Sequence, residues 1–113
     1  MLPNGLPMDI KQIDIHKAQE LIKSRGITIV DIRDDDSYTE AHIAQAILVN
    51  DENVEEFATK ADKTKPLICY CYHGISSQGA AQFFKQKGFQ EVYSIEGGFE
   101  EWRNVYPSVS GNP

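Results

Sequence analysis

Long apolar runs are missing from this 113-residue chain: the longest, residues 67–72, reads LICYCY, against the roughly 20 apolar residues that a helix needs to cross a bilayer. The opening MLPNGLPMDI has neither the basic head nor the apolar stretch of a secretory signal. A basic excess is missing too. Eleven Lys and Arg stand against 17 Asp and Glu, a formal charge of −6, and the cations are scattered rather than striped. No nucleic acid and no anionic membrane surface is therefore expected among the partners. Cysteine is scarce: the only two, Cys69 and Cys71, are one residue apart. That spacing would strain a disulfide, and it is not the C-x-x-C of a thioredoxin-type redox pair. Free thiols in a reducing compartment, the cytoplasm, are the expectation. Cys69, Cys71 and His73 could be read as metal ligands, but no convincing fourth ligand stands nearby. Neither a metal nor another cofactor is expected.

What is present is the composition of an ordinary globular domain, 41% hydrophobic and 25% charged. A chain of this length is one domain, burying roughly two thirds of the surface that its unfolded form exposes. Residues 1–8 read as a flexible leader and residues 108–113 as a flexible tail, leaving 9–107 as the domain.

Along the chain, short helical patterns alternate with short apolar strands, without internal repeats. Asp14 can cap a helix that carries Ile15, Ala18, Leu21 and Ile22 on one face, with Gly26 as its stop. ITIVDI is β-branched and apolar on both faces, as a strand covered on both sides should be. SYTE, residues 37–40, fits a capping box and opens a short helix through His42. AILV is a second strand, after which Asn53 can cap a helix bearing Val54, Phe57 and Ala58. PLICY is a third strand. SQGAAQFFKQKG offers Ala80, Ala81, Phe83 and Phe84 to a core, EVYSI is a fourth strand, and GGFEEW turns into a closing helix in which Phe99 and Trp102 are core residues. The alternation predicts an α/β fold: a central, mainly parallel sheet of about five strands with helices on both faces, and functional groups at the carboxyl ends of the strands.

Cys71 falls at such an end. Between PLICY and the following helix lies CYHGISSQG, a cysteine leading into a loop of small and polar residues. A helix N-terminus carries partial positive charge and unpaired amides, and a small-residue loop can turn further amides inward. In such a nest a thiol ionises readily and becomes nucleophilic. Gly74 frees the backbone, and Ser76 and Ser77 add hydroxyls that can also cap the helix. Cys69, inside the apolar strand, suits a buried structural role.

Three ordered motifs then carry a resemblance over nearly the whole chain. VDIRDDDSYTEAHIAQAILV, with Asp31, Arg33, Tyr38, His42, Ile43 and Ala46, resembles the first signature of the single-domain rhodaneses. CYHGISSQGAAQ resembles the active-site loop of their GlpE type, and VYSIEGGFEEW, with Gly97, Gly98 and Trp102, resembles the closing signature. The resemblance implies a rhodanese-like fold and a thiosulfate sulfurtransferase activity by double displacement. Cys71 would take the outer sulfur of thiosulfate, or of another sulfane-sulfur donor, as a persulfide. Cyanide, a small thiol or a thioredoxin-like protein would then accept it. Tyr72, His73, Gly74, Ile75, Ser76 and Ser77 would form the loop that holds the persulfide. Gln78, a possible substrate contact, departs from the basic residue often found there in the family, which leaves less positive charge for a thiosulfate dianion. Arg33 could supply some as a substrate contact, or could serve as an ion-pair partner of Asp31 or of a loop carboxylate.

Two rival readings follow from the same loop. A cysteine phosphatase or arsenate reductase would need an arginine six residues after the cysteine to grip the oxygens of its substrate; here that residue is Ser77. A rhodanese-like module that only docks partners commonly lacks the loop cysteine, which is present here. His42 reads as a packing and hydrogen-bonding residue, and His73 as a solvent-facing loop residue or a substrate contact.

Overall fold

The computed structural model describes residues 10–24 and 26–111; the expected leader lies outside them. Among the described residues, five strands and five helices alternate: β1 (Lys11–Ile13), α1 (Ile15–Ser24), β2 (Thr28–Asp31), α2 (Asp35–Glu40), β3 (Ile47–Leu48), α3 (Val54–Lys60), β4 (Leu67–Tyr70), α4 (Ser76–Gln86), β5 (Val92–Ile95) and α5 (Gly98–Val105). The strands form one sheet in the order β1-β5-β4-β2-β3. Every pairing is parallel, as strands joined through helical crossovers should be. The expected α/β architecture is the one observed.

Strand periodicity builds two cores. Ile29, Ile68, Tyr70, Tyr93 and Ile95 turn to one face, where α1 brings Ile15, Ala18 and Leu21 and α5 brings Phe99 and Trp102. Val30, Leu67, Cys69 and Val92 turn to the other, beneath Ala58 of α3 and Ala81 and Phe84 of α4. Each large side chain buried this way contributes about 1.5–3 kcal/mol. β4 is central and buried along its whole length, so the loop that follows it starts from the middle of the sheet. No helix among the described residues is long and apolar enough to cross a membrane.

Four strands coincide with the apolar pieces of the sequence, but β1 does not. KQI pairs only with β5 at the sheet edge, and its Lys11 and Gln12 are exposed, so no apolar pattern announces it. The capping of α2 also differs. Its N-cap is Asp34, whose carboxylate accepts from the Ser37 amide at 3.1 Å. An aspartate followed by two more acids suits the positive end of the helix better than a box opening on Ser37. The helix ends at Glu40, and His42 instead forms an antiparallel bridge with Val109. Its buried ring stacks on Tyr38 at 3.8 Å and its Nδ1 lies 2.7 Å from the Tyr38 carbonyl oxygen. Residues 109 and 111 make backbone hydrogen bonds to this region: the Val109 amide donates to His42 O at 2.9 Å and the Gly111 amide to Thr39 O at 2.8 Å. Asn53 holds the N-cap position of α3 without capping it. Its amide group donates to Leu48 O and its oxygen accepts from the Asn50 amide.

Candidate active site

β4 ends at Tyr70, and the next two carbonyls are taken by the start of α5. The Phe99 amide donates to Cys71 O and the Glu100 amide to Tyr72 O, each at 2.9 Å. This contact requires a glycine at 98: with φ at +60°, an added Cβ would lie 2.5 Å from Cys71 O and 2.6 Å from Tyr72 O. Only a residue without a side chain lets a helix N-terminus approach backbone so closely. The closing GGF motif therefore anchors the first turn of the cysteine loop.

The loop then curls over the sulfur. The Gly74 amide donates to Cys71 Sγ at 3.1 Å and the Ser77 amide at 3.3 Å. Ser77 Oγ lies 3.4 Å from the same sulfur. Gly74 adopts φ +89°, and a Cβ there would strike Gly97 N at 2.8 Å and Ile95 O at 2.9 Å. α4 begins at Ser76 with Ile75 in the cap position and no side-chain cap; neither serine performs the capping that the sequence suggests. Cys71 Sγ fills that role, accepting an amide that the first turn of a helix leaves unpaired. Burial pushes the Cys71 thiol up, but the Ser77 hydroxyl and the Ser77, Gly74 and His73 amides outweigh it and hold the thiol below its ordinary value. Cys69 is the opposite case. Fully buried, it is pushed well up by desolvation and then by the Cys71 charge, and its thiol donates to Ser77 O at 3.3 Å.

Residues 14–105 match the family described as Rhodanese-like domain. The chain belongs to the rhodanese family. It is 50% identical over 105 residues to the thiosulfate sulfurtransferase GlpE of Coxiella burnetii, covering 93% of this chain and 98% of that one. To the protein of the same name from Shewanella oneidensis it is 42% identical over 95 residues, covering 84% and 94%. A rhodanese-related protein of Thermoplasma volcanium, solved by crystallography, superposes with a TM-score of 0.75 at 28% identity, covering 88% of this chain and 97% of that one.

Within this rhodanese fold the sequence-predicted residues separate into three groups. Cys71, Gly74 and Ser77 meet at the sulfur, and the Gln78 amide group donates to Gly74 O at 2.9 Å, so Gln78 braces the loop rather than facing outward. Tyr72, His73, Ile75 and Ser76 are exposed at the rim. Ile75 is 75% exposed, and Tyr72 Oη accepts from Arg103 Nη1 at 3.1 Å. Arg33 is tied into the structure beside Tyr72 and Phe99. Its Nη2 donates to Asp31 Oδ2 and to Ala41 O, each at 2.7 Å, and its guanidinium lies over the Phe99 ring at 4.2 Å.

One residue at the site lies outside the cysteine loop and its motif. Ser94 of β5 is completely buried, and its Oγ is 2.7 Å from Ser77 Oγ. The signal was available: a serine in the middle of the apolar strand VYSI must find a partner for its hydroxyl. The donors on Cys71 Sγ are all uncharged, and no group of three or more His, Cys, Asp or Glu that could hold a metal exists among the described residues. A hollow of about 840 Å³ opens beside β3 and includes none of the loop residues. Hydrogen bonds, not volume, mark the site.

Proposed function

We propose that the chain is a thiosulfate sulfurtransferase acting through a persulfide on Cys71. The observation that carries this reading is the set of amide and hydroxyl donors converging on a sulfur whose ionisation they favour. The Cys71 thiolate attacks the outer sulfur of thiosulfate; the new bond joins the two sulfurs, the S–S bond of thiosulfate breaks, and sulfite leaves with the electron pair. The persulfide anion takes up the thiolate's charge within the same donors. An acceptor anion, cyanide in an assay or the thiolate of a small thiol or thioredoxin-like protein, then attacks the outer sulfur and restores the Cys71 thiolate. Both nucleophiles are ionised at the outset, so no general base is needed.

The catalytic unit is residues 9–107, and two free thiols suit a reducing compartment such as the cytoplasm. The position that a phosphatase reserves for arginine is Ser77, whose amide and hydroxyl face the sulfur, so phosphoryl transfer is disfavoured. The test is incubation with thiosulfate and no acceptor, followed by mass mapping. The expected result is one added sulfur atom on Cys71 and none on Cys69, thiocyanate formation when cyanide follows, and no hydrolysis of an aryl phosphate. Turnover should vanish in Cys71→Ser. Sulfur on Cys69, or turnover that survives in Cys71→Ser, overturns the proposal.

A further inference from the structure

The pair of buried hydroxyls behind the sulfur has a consequence for how the thiolate is held. Ser77 Oγ has two neighbours within reach, Cys71 Sγ at 3.4 Å and Ser94 Oγ at 2.7 Å, and one proton to give. A thiol at Cys71 donates its proton to Ser77 Oγ, and Ser77 in turn can donate to Ser94. A thiolate has no proton to give, so the favourable arrangement is the reverse: Ser94 donates to Ser77 Oγ, and the Ser77 proton points at sulfur.

We propose that Ser94 is a positioning residue of the sulfur-transfer site, its hydroxyl fixing the Ser77 hydroxyl as a donor to the Cys71 thiolate and to the persulfide that replaces it. Ser94 touches neither the sulfur nor the substrate; it acts through Ser77 alone. β5 is well suited to the task. It lies beside β4 in the sheet, with Ser94 in register with Cys69, and both cores hold it in place. The other side of Ser77 is held as well, since its carbonyl accepts from the Cys69 thiol, leaving the hydroxyl rotor as the free variable. Without Ser94, that rotor spreads over three staggered positions of which one faces the sulfur, a dilution of about threefold.

This inference rests on Cys71 being the reacting thiolate, and its test reads the thiolate directly, apart from any sulfur transfer. The measurement is the rate of Cys71 alkylation by iodoacetamide as a function of pH, with mass mapping to Cys71 and a thermal midpoint for each variant. Ser94→Ala should alkylate about threefold more slowly near neutral pH, with the midpoint of the pH profile displaced upward. Ser77→Ala, losing the donor itself, should be slower by about tenfold. The double variant should match Ser77→Ala, and Ser94→Thr, which keeps a hydroxyl, should restore the wild-type profile. If Ser94→Ala does not fold, Ser94→Cys, near in size but a poor donor, takes its place with the same expectation. An unchanged profile in Ser94→Ala, additive slowing in the double variant, or a Ser94→Thr profile as poor as that of Ser94→Ala overturns the proposal. Absence of sulfur transfer alongside the predicted alkylation pattern would overturn the proposed function and leave standing only the hold of Ser94, through Ser77, on the Cys71 thiolate.

Discussion

Replacing Gly74 by Ala forces a choice between keeping the loop and keeping the anion site. The native φ of +89° costs a residue with a Cβ about 1–2 kcal/mol. The added methyl would also sit 2.8 Å from Gly97 N and 2.9 Å from Ile95 O, both backbone atoms that cannot rotate away. Overpacking of that kind adds about 1–3 kcal/mol. If the loop stays in place, the protein loses about 2–5 kcal/mol, a large share of the stability of a small domain. If the loop yields instead, Gly74 N leaves Cys71 Sγ, where it now donates at 3.1 Å. A hydrogen bond to a charged group is worth about 1.5–3 kcal/mol, so the thiol midpoint would rise by about 1–2 pH units. Two assays distinguish the responses: urea denaturation for stability and the pH profile of Cys71 alkylation for the nest. At least one must move. A Gly74→Ala variant within about 0.5 kcal/mol of wild type and with an unshifted alkylation midpoint would refute the reasoning.

The two cysteines should load the pH dependence of stability in opposite directions. Cys71, lowered in the folded state, adds stability that is complete above the unfolded thiol value of about 8.5 and is lost as pH falls through its folded value. Cys69, raised by burial, contributes stability that is complete below about 8.5 and lost as pH climbs beyond it. Denaturation of Cys69→Ala between about pH 8 and 9.5 should therefore show a weaker alkaline decline, at a packing cost of about 1 kcal/mol, and an undiminished decline would contradict the buried, un-ionised thiol. Asp31→Ala should cost about 3–5 kcal/mol, because the buried Arg33 guanidinium loses its carboxylate. Lys60→Ala removes only the exposed pair with Glu56 and should change stability by less than about 0.5 kcal/mol; comparable losses in the two variants would argue against the Arg33 assignment.

Local pattern in the chain suffices for the α/β alternation, four of the five strands, the two-faced core and the position of Cys71 between a buried strand and a helix. These are local properties, set by side-chain period and by the small residues of CYHGISSQG, and they survive being read one segment at a time. The tertiary structure decided everything that depends on which segments meet. β1 became a strand because β5 offers it an edge, not because KQI has strand character. Arg33 found its main partners in Asp31, two residues back, and Ala41 O, which bind one edge of its fork. The serines proved not to cap α4, since both lie inside its first turn, where the cysteine sulfur holds the Ser77 amide. Gly98 acquired its necessity from the approach of α5 to Cys71 O. Ser94, 23 residues beyond the cysteine and silent in any local reading, reached the site only because parallel pairing sets β5 beside β4. Hydrogen-bond partners are chosen in three dimensions, and a sequence shows which groups will need one without showing where it will come from.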